Sequence, residues 1–91
     1  MALSYADKQR AENPVEYEKA RLVVDVATAL KLAVEGAGMS VGGLAARLGR
    51  GRAIVYRQLS GHENLSLGKV AELAFHLGKR LEVDLVDISE S

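Results

Sequence analysis

Arginine dominates the polar chemistry in the middle of this chain. Arg47, Arg50, Arg52 and Arg57 lie close together, and Lys69 follows. Guanidinium groups present a planar fork of donors that suits phosphate and carboxylate groups. Residues 39–80 hold seven basic side chains against two acidic ones, Glu63 and Glu72. Residues 81–91 hold four acids and no base, and residues 1–38 hold five bases against six acids. A net charge of zero therefore conceals a positive middle. Local positive charge is what attraction to nucleic-acid phosphate requires. Other chemistries find no set of residues. His62 and His76 are the two histidines, and neither stands in a metal-ligand pattern with carboxylates. Gly36, Gly38, Gly42 and Gly43 lack the preceding strand and the Lys-Ser/Thr pair of a phosphate-binding loop. No catalytic residue, metal or cofactor is expected, and an enzyme is the weakest reading.

The elements that must position these cations are helices. Ser40 to Gly61 reads SVGGLAARLGRGRAIVYRQLSG. Ser40 is a good N-cap, and Val41, Leu44, Ala45 and Leu48 recur at helical spacing. Gly49 stops that helix, and Arg50 and Gly51 complete a turn. A second helix is expected from Arg52 to about Leu59, with Val55 and Leu59 facing inward. Two short helices about a glycine-containing turn are the layout of a DNA-binding helix-turn-helix, whose second helix enters the major groove. Upstream, Asn13-Pro14-Val15-Glu16 opens a helix that runs to about Glu35, roughly 30 Å at 1.5 Å per residue. Its apolar stripe is Leu22, Val23, Val26, Leu30, Ala33 and Val34, with its charged N-terminal half projecting. Downstream, Ser66 caps a fourth helix with Leu67, Val70, Ala71, Ala74 and Leu77 on one stripe and Leu73 flanking it. Residues 1–12 read as a flexible N-terminal extension or a short helical arm, ahead of a single domain over 13–91.

The runs LAARLGRGRAIVYRQLSG and NLSLGKVAELAFHLGKRLEV resemble the Xre/lambda-repressor family of helix-turn-helix regulators. IVYRQLSG and the NLSL to LAFHLGKRLEV continuation look most like its addiction-module, HigA-like antitoxin branch. The resemblance covers about residues 39–86. It implies an all-α, lambda-repressor-like domain of about four helices. It also implies a transcriptional regulator that binds double-stranded operator DNA, and an antitoxin that represses its own operon. Base-reading positions carried over on the motif are Arg52, Ala53 and Arg57, with Ile54 and Tyr56 beside them. Arginine can pair bidentately with guanine, and alanine can touch a thymine methyl. Phosphate is expected at Ser40, Arg50, Asn64, Ser66 and Lys69, on loops and helix starts around the reading helix. One departure stands out. The family usually carries a polar residue, often Gln, just after the Ser/Thr cap, and here that position is Val41, followed by Gly42 and Gly43. The alternatives are a phage-type immunity or lysogeny regulator without a toxin, and a protein-interaction module that chiefly neutralises a toxin.

Composition sets the outer bounds. Ninety-one residues make one domain with a modest core, which dimerisation would help. The absence of cysteine excludes disulfides and fits a reducing cytoplasm. The apolar runs are too short to span a bilayer, and no signal-peptide pattern opens the sequence. Arg80 to Leu85 alternates polar and apolar, which predicts a half-buried strand over about 80–87. A lone strand cannot satisfy its own backbone. Its expected partner is the same strand of a second copy, antiparallel across a two-fold axis, with Leu81, Val83 and Leu85 as the dimerisation face. A toxin docked on that strand is the competing occupant.

Overall fold

The computed structural model describes residues 4–61 and 64–88. It is mostly helical: α1 (Tyr5–Glu12), α2 (Pro14–Gly36), α3 (Val41–Leu48), α4 (Arg52–Gln58) and α5 (Leu67–His76). No β-strand occurs among the described residues, and 79–88 carries no regular secondary structure. The expected strand over 80–87 is thus not formed within one chain. An isolated strand has no ladder partner for its N–H and C=O groups.

Local chemistry explains the breaks. Pro14 occupies the first turn of α2, where its missing N–H costs nothing. Asn13 stands at the N-cap position but makes no side-chain capping hydrogen bond to that helix. Ser40 Oγ accepts from the Gly43 N–H at 3.0 Å, and Ser66 Oγ accepts from the Lys69 N–H at 3.1 Å. Both serines therefore cap as their positions predict. Gly49 ends α3 at φ 66°, a left-handed conformation that costs a residue with a Cβ. The Arg50 N–H then donates back to the Ala45 carbonyl at 3.0 Å, which closes the turn.

The core lies where α2, α3, α4 and α5 meet. Leu30 and Val34 of α2, Leu44 and Ala45 of α3, Val55 of α4, Leu59, Leu73 of α5 and Leu77 form one buried cluster. Leu44, Leu73 and Val55 are its fully buried side chains. Most of each expected stripe lies inside, with Val70, Ala74 and Leu77 buried on α5 and Leu30 and Val34 on α2, and a few positions differ. On α5, Leu73 is buried, whereas Leu67 is 77% exposed and Ala71 is exposed. On α2, Ala27 is buried in place of Leu22, which is 55% exposed. Gln58 is a polar member of the interior, and its Oε1 has no hydrogen-bond partner among the described residues.

Residues 5–12 are helical, as a short helical arm would be, and the described helices number five. Helix α1 folds back on the N-terminal half of α2. Tyr5 and Ala6 share a cleft with Tyr17, Ala20, Arg21 and Val24, and the Arg10 guanidinium sits 5.8 Å from the Tyr17 ring centroid. The buried residues of α2 are Ala27, Leu30 and Val34, all in its C-terminal half, so the N-terminal half projects from the core. Ion pairs Lys19–Glu16, Arg21–Glu18 and Arg21–Asp25 run along it. The hydrogen bond and charge of Glu18, followed by Asp25, push the Arg21 pKa up, so this guanidinium stays charged. Exposed pairs of this kind add little to stability. No described helix is long and apolar enough to cross a membrane.

Candidate nucleic-acid interface

Helix α4 has an inner and an outer face. Val55, Gln58 and Leu59 are buried, while Arg52, Ala53, Ile54, Tyr56 and Arg57 are exposed. All five base-reading candidates therefore lie on accessible surface. At 100° per residue, Ala53 and Arg57 stand opposite Val55, at the centre of the outer face. Ile54 and Tyr56 flank them, the latter 67% exposed. Exposure of a Tyr and an Ile on one short helix beside arginine leaves apolar edges available to another molecule. Arg57 makes no side-chain hydrogen bond or ion pair among the described residues, although its carbonyl accepts from Ser60 Oγ at 2.6 Å.

Arg52 is placed differently. Its guanidinium lies against the first turn of α3. A Cβ added to Gly42 would sit 3.5 Å from Arg52 Nε and 3.6 Å from Nη2. Arg52 thus packs beside Gly42, where a Cβ would make ordinary van der Waals contact with it, and Gly43 faces Met39 and Ser40 instead. Ser40 is exposed at the same corner, but its Oγ is engaged as the α3 cap. A hydroxyl can accept from the backbone and still donate outward.

The remaining phosphate candidates gather around α5. Asn64 and Ser66 are exposed just ahead of it. Arg50 and Lys69 converge on Glu72, which sequence reasoning did not place in the site. Arg50 Nη2 is 2.8 Å from Glu72 Oε1, and Lys69 Nζ is 3.8 Å from the same oxygen. Despite the short distance, neither that oxygen nor the buried Arg50 Nη1 has a partner in hydrogen-bond geometry among the described residues. The pair is a close charge contact with poor alignment. Lys69 precedes Glu72 by one helical turn, so that contact had a sequence signal. The Arg50–Glu72 contact spans two elements and had none.

Arg47 stands apart from the other cations of this region. Its Nη1 donates to the His76 carbonyl at 3.2 Å, fastening α3 to the end of α5. Cations interact favourably with such terminal carbonyls.

Two of the dimerisation candidates, Leu81 and Val83, lie beside α2 and α5, in a cleft that also includes the phosphate candidate Asn64. Leu81 borders Val26, Leu30, Val70 and Leu77, and Val83 lines a cleft of about 240 Å³ with Leu22, Val26 and Leu67. Leu81 is 38% exposed, but Val83 and Leu85 remain 74% and 96% exposed. Glu82 and Asp84 line the same cleft, so polar and apolar residues do not separate cleanly onto two faces. Phe75 on α5 and Val86 and Ile88 beyond it are also largely exposed. Comparison with family models, curated proteins and solved structures found no match.

Proposed function

We propose that this protein is a sequence-specific double-stranded DNA-binding transcriptional regulator that works as a homodimer. One observation carries the reading: the whole outer face of α4 is open, with Ala53 and Arg57 at its centre, in a region rich in positive charge. Helix α4 enters the major groove, and Ser40, Asn64, Ser66 and Lys69 surround it as phosphate contacts. The α3–turn–α4 unit is the helix-turn-helix. Regulation is steric, by occupation of an operator. The resemblance of IVYRQLSG and its continuation to addiction-module antitoxins supports the specific form of an antitoxin that represses its own operon.

Arg57 tests base reading. Arg57→Ala should cost roughly 1–3 kcal/mol on the cognate site and relax specificity at one base pair. Fluorescence anisotropy on cognate and shuffled duplexes reads this directly. Equal loss on both would leave Arg57 as a backbone contact only.

Lys69 tests the phosphate assignment. Lys69→Gln should weaken binding to all duplexes alike and reduce the slope of log K against log salt by about one. An unchanged slope in a salt titration would remove Lys69 from the interface.

The dimer reading rests on the apolar surface around 81–88. A segment with strand alternation, no partner strand among the described residues and several exposed apolar side chains invites a second chain. Antiparallel pairing of two copies completes the ladder and covers Leu81, Val83 and Leu85 against α2 and α5.

A further inference from the structure

Glu72 is one of two acids among residues 39–80, and it sits between two of the cations assigned to phosphate. We propose that Glu72 is an internal counter-anion: it holds Arg50 and Lys69 in the free protein and competes with nucleic-acid phosphate for them. The proposal rests on the DNA-binding reading and adds how that site is regulated.

The geometry suits a replaceable partner. Arg50 reaches Glu72 at 2.8 Å, yet its contact is not aligned as a hydrogen bond, and Nη1 of the same fork, which is buried, has no partner among the described residues. A guanidinium fork favours two parallel bonds to one oxyanion, and a phosphate supplies more oxygens than this carboxylate offers here. Lys69 is held more loosely, at 3.8 Å, with its side chain 36% exposed. The Glu72 side chain is 41% exposed, so it can swing into solvent when an anion arrives. It lies in the second turn of α5, with exposed Ser66 and Asn64 just ahead of that helix. Glu72 therefore weakens the hold on every sequence alike. Discrimination is left to α4, which reads bases rather than charge. Against a large excess of non-specific DNA, a regulator gains from such restraint.

The test uses the full chain with Glu72→Gln, a random-sequence duplex and a salt series. Glu72→Gln should bind the random duplex roughly threefold or more tightly, with a salt slope steeper by about one. In a Lys69→Gln, Arg50→Gln background the same change should gain far less, because Glu72 acts through those cations. Glu72→Asp keeps the charge but withdraws it by one methylene, and should give an intermediate gain. It also serves as the test variant if Glu72→Gln loses its helical circular dichroism. Elution from immobilised heparin provides a second readout, with the glutamine variant leaving at higher salt. If wild type binds duplex DNA and neither variant binds tighter or elutes later, the counter-anion role is overturned while the DNA reading stands. If neither wild type nor Glu72→Gln binds duplex DNA at low salt, but the variant still elutes later from heparin, the DNA reading falls. Glu72 then remains a brake on polyanion binding.

Discussion

Leu73→Ala is expected to destabilise the protomer by about 2–5 kcal/mol, because the site is fully buried and a cavity must remain. A 91-residue domain has about 5–14 kcal/mol of stability in total, so this loss is a large share. Leu73 sits on α5 in the cluster that joins Leu30, Leu44, Val55 and Leu59, and it therefore helps seat α4 as well as its own helix. Leu67→Ala provides the contrast. The same deletion at a 77% exposed side chain should change protomer stability by less than about 0.5 kcal/mol. If a second chain covers Leu67, any larger effect of Leu67→Ala should depend on protein concentration. Urea denaturation at two protein concentrations checks both statements. A comparable loss from the two variants in dilute protein would place the α5 core on the wrong face.

Val83→Pro is expected to give a folded monomer with operator binding weakened by about 100-fold or more. Val83 is 74% exposed in the protomer, and no described secondary structure includes it, so the substitution breaks no ladder within one chain. Its cost falls on the dimer. Proline removes the N–H that an antiparallel partner needs and is poorly tolerated inside a paired strand. Loss of pairing separates the two reading helices, which should otherwise stand about 34 Å apart on one face of the duplex. Binding then loses the effective concentration that links two half-sites, commonly worth 10²–10⁴. Light scattering and anisotropy, measured on the same samples, read both consequences. A wild-type chain that is monomeric at micromolar concentration would contradict the paired-strand arrangement. So would a dimeric Val83→Pro protein with unchanged affinity.

These predictions separate what local chemistry reveals from what packing decides. Caps and stops were legible: Ser40 and Ser66 stand where α3 and α5 start, and Gly49 where α3 ends. Each signal acts through its own backbone, within about one turn, so no tertiary knowledge is needed. The buried side of α5 was legible in Val70, Ala74 and Leu77, but not at its edges. Leu67, Val70, Leu73, Ala74 and Leu77 admit more than one apolar stripe, and Leu73 rather than Leu67 completes the buried one. On α2 the smaller Ala27 is buried while Leu22 is 55% exposed. Gly61 lies beside Ala27, where a Cβ on it would come within 3.5 Å of the alanine methyl, a tertiary contact that no helical period reveals. Helix α1 has almost no apolar periodicity, and its sequence of charged and small residues gives little to read. It is ordered instead by local Ser4–Asp7 and Arg10–Asp7 bonds and by contact with α2.

The candidate interface divides in the same way. The exposed face of α4 followed from Val55 and Leu59 pointing inward. The Glu72 contact with Arg50, the seat of Arg52 beside Gly42 and the bond from Arg47 to His76 are long-range contacts between elements. No periodicity within one helix encodes them.

The most direct test of DNA-binding regulation is an electrophoretic mobility shift with the DNA upstream of this protein's own reading frame. A shuffled duplex of equal length serves as the comparison, both at physiological salt. The account predicts a discrete dimer complex on the upstream DNA, at least about 10³-fold tighter than on the shuffled duplex. Indistinguishable affinity for the two duplexes, or no complex on either, would contradict it.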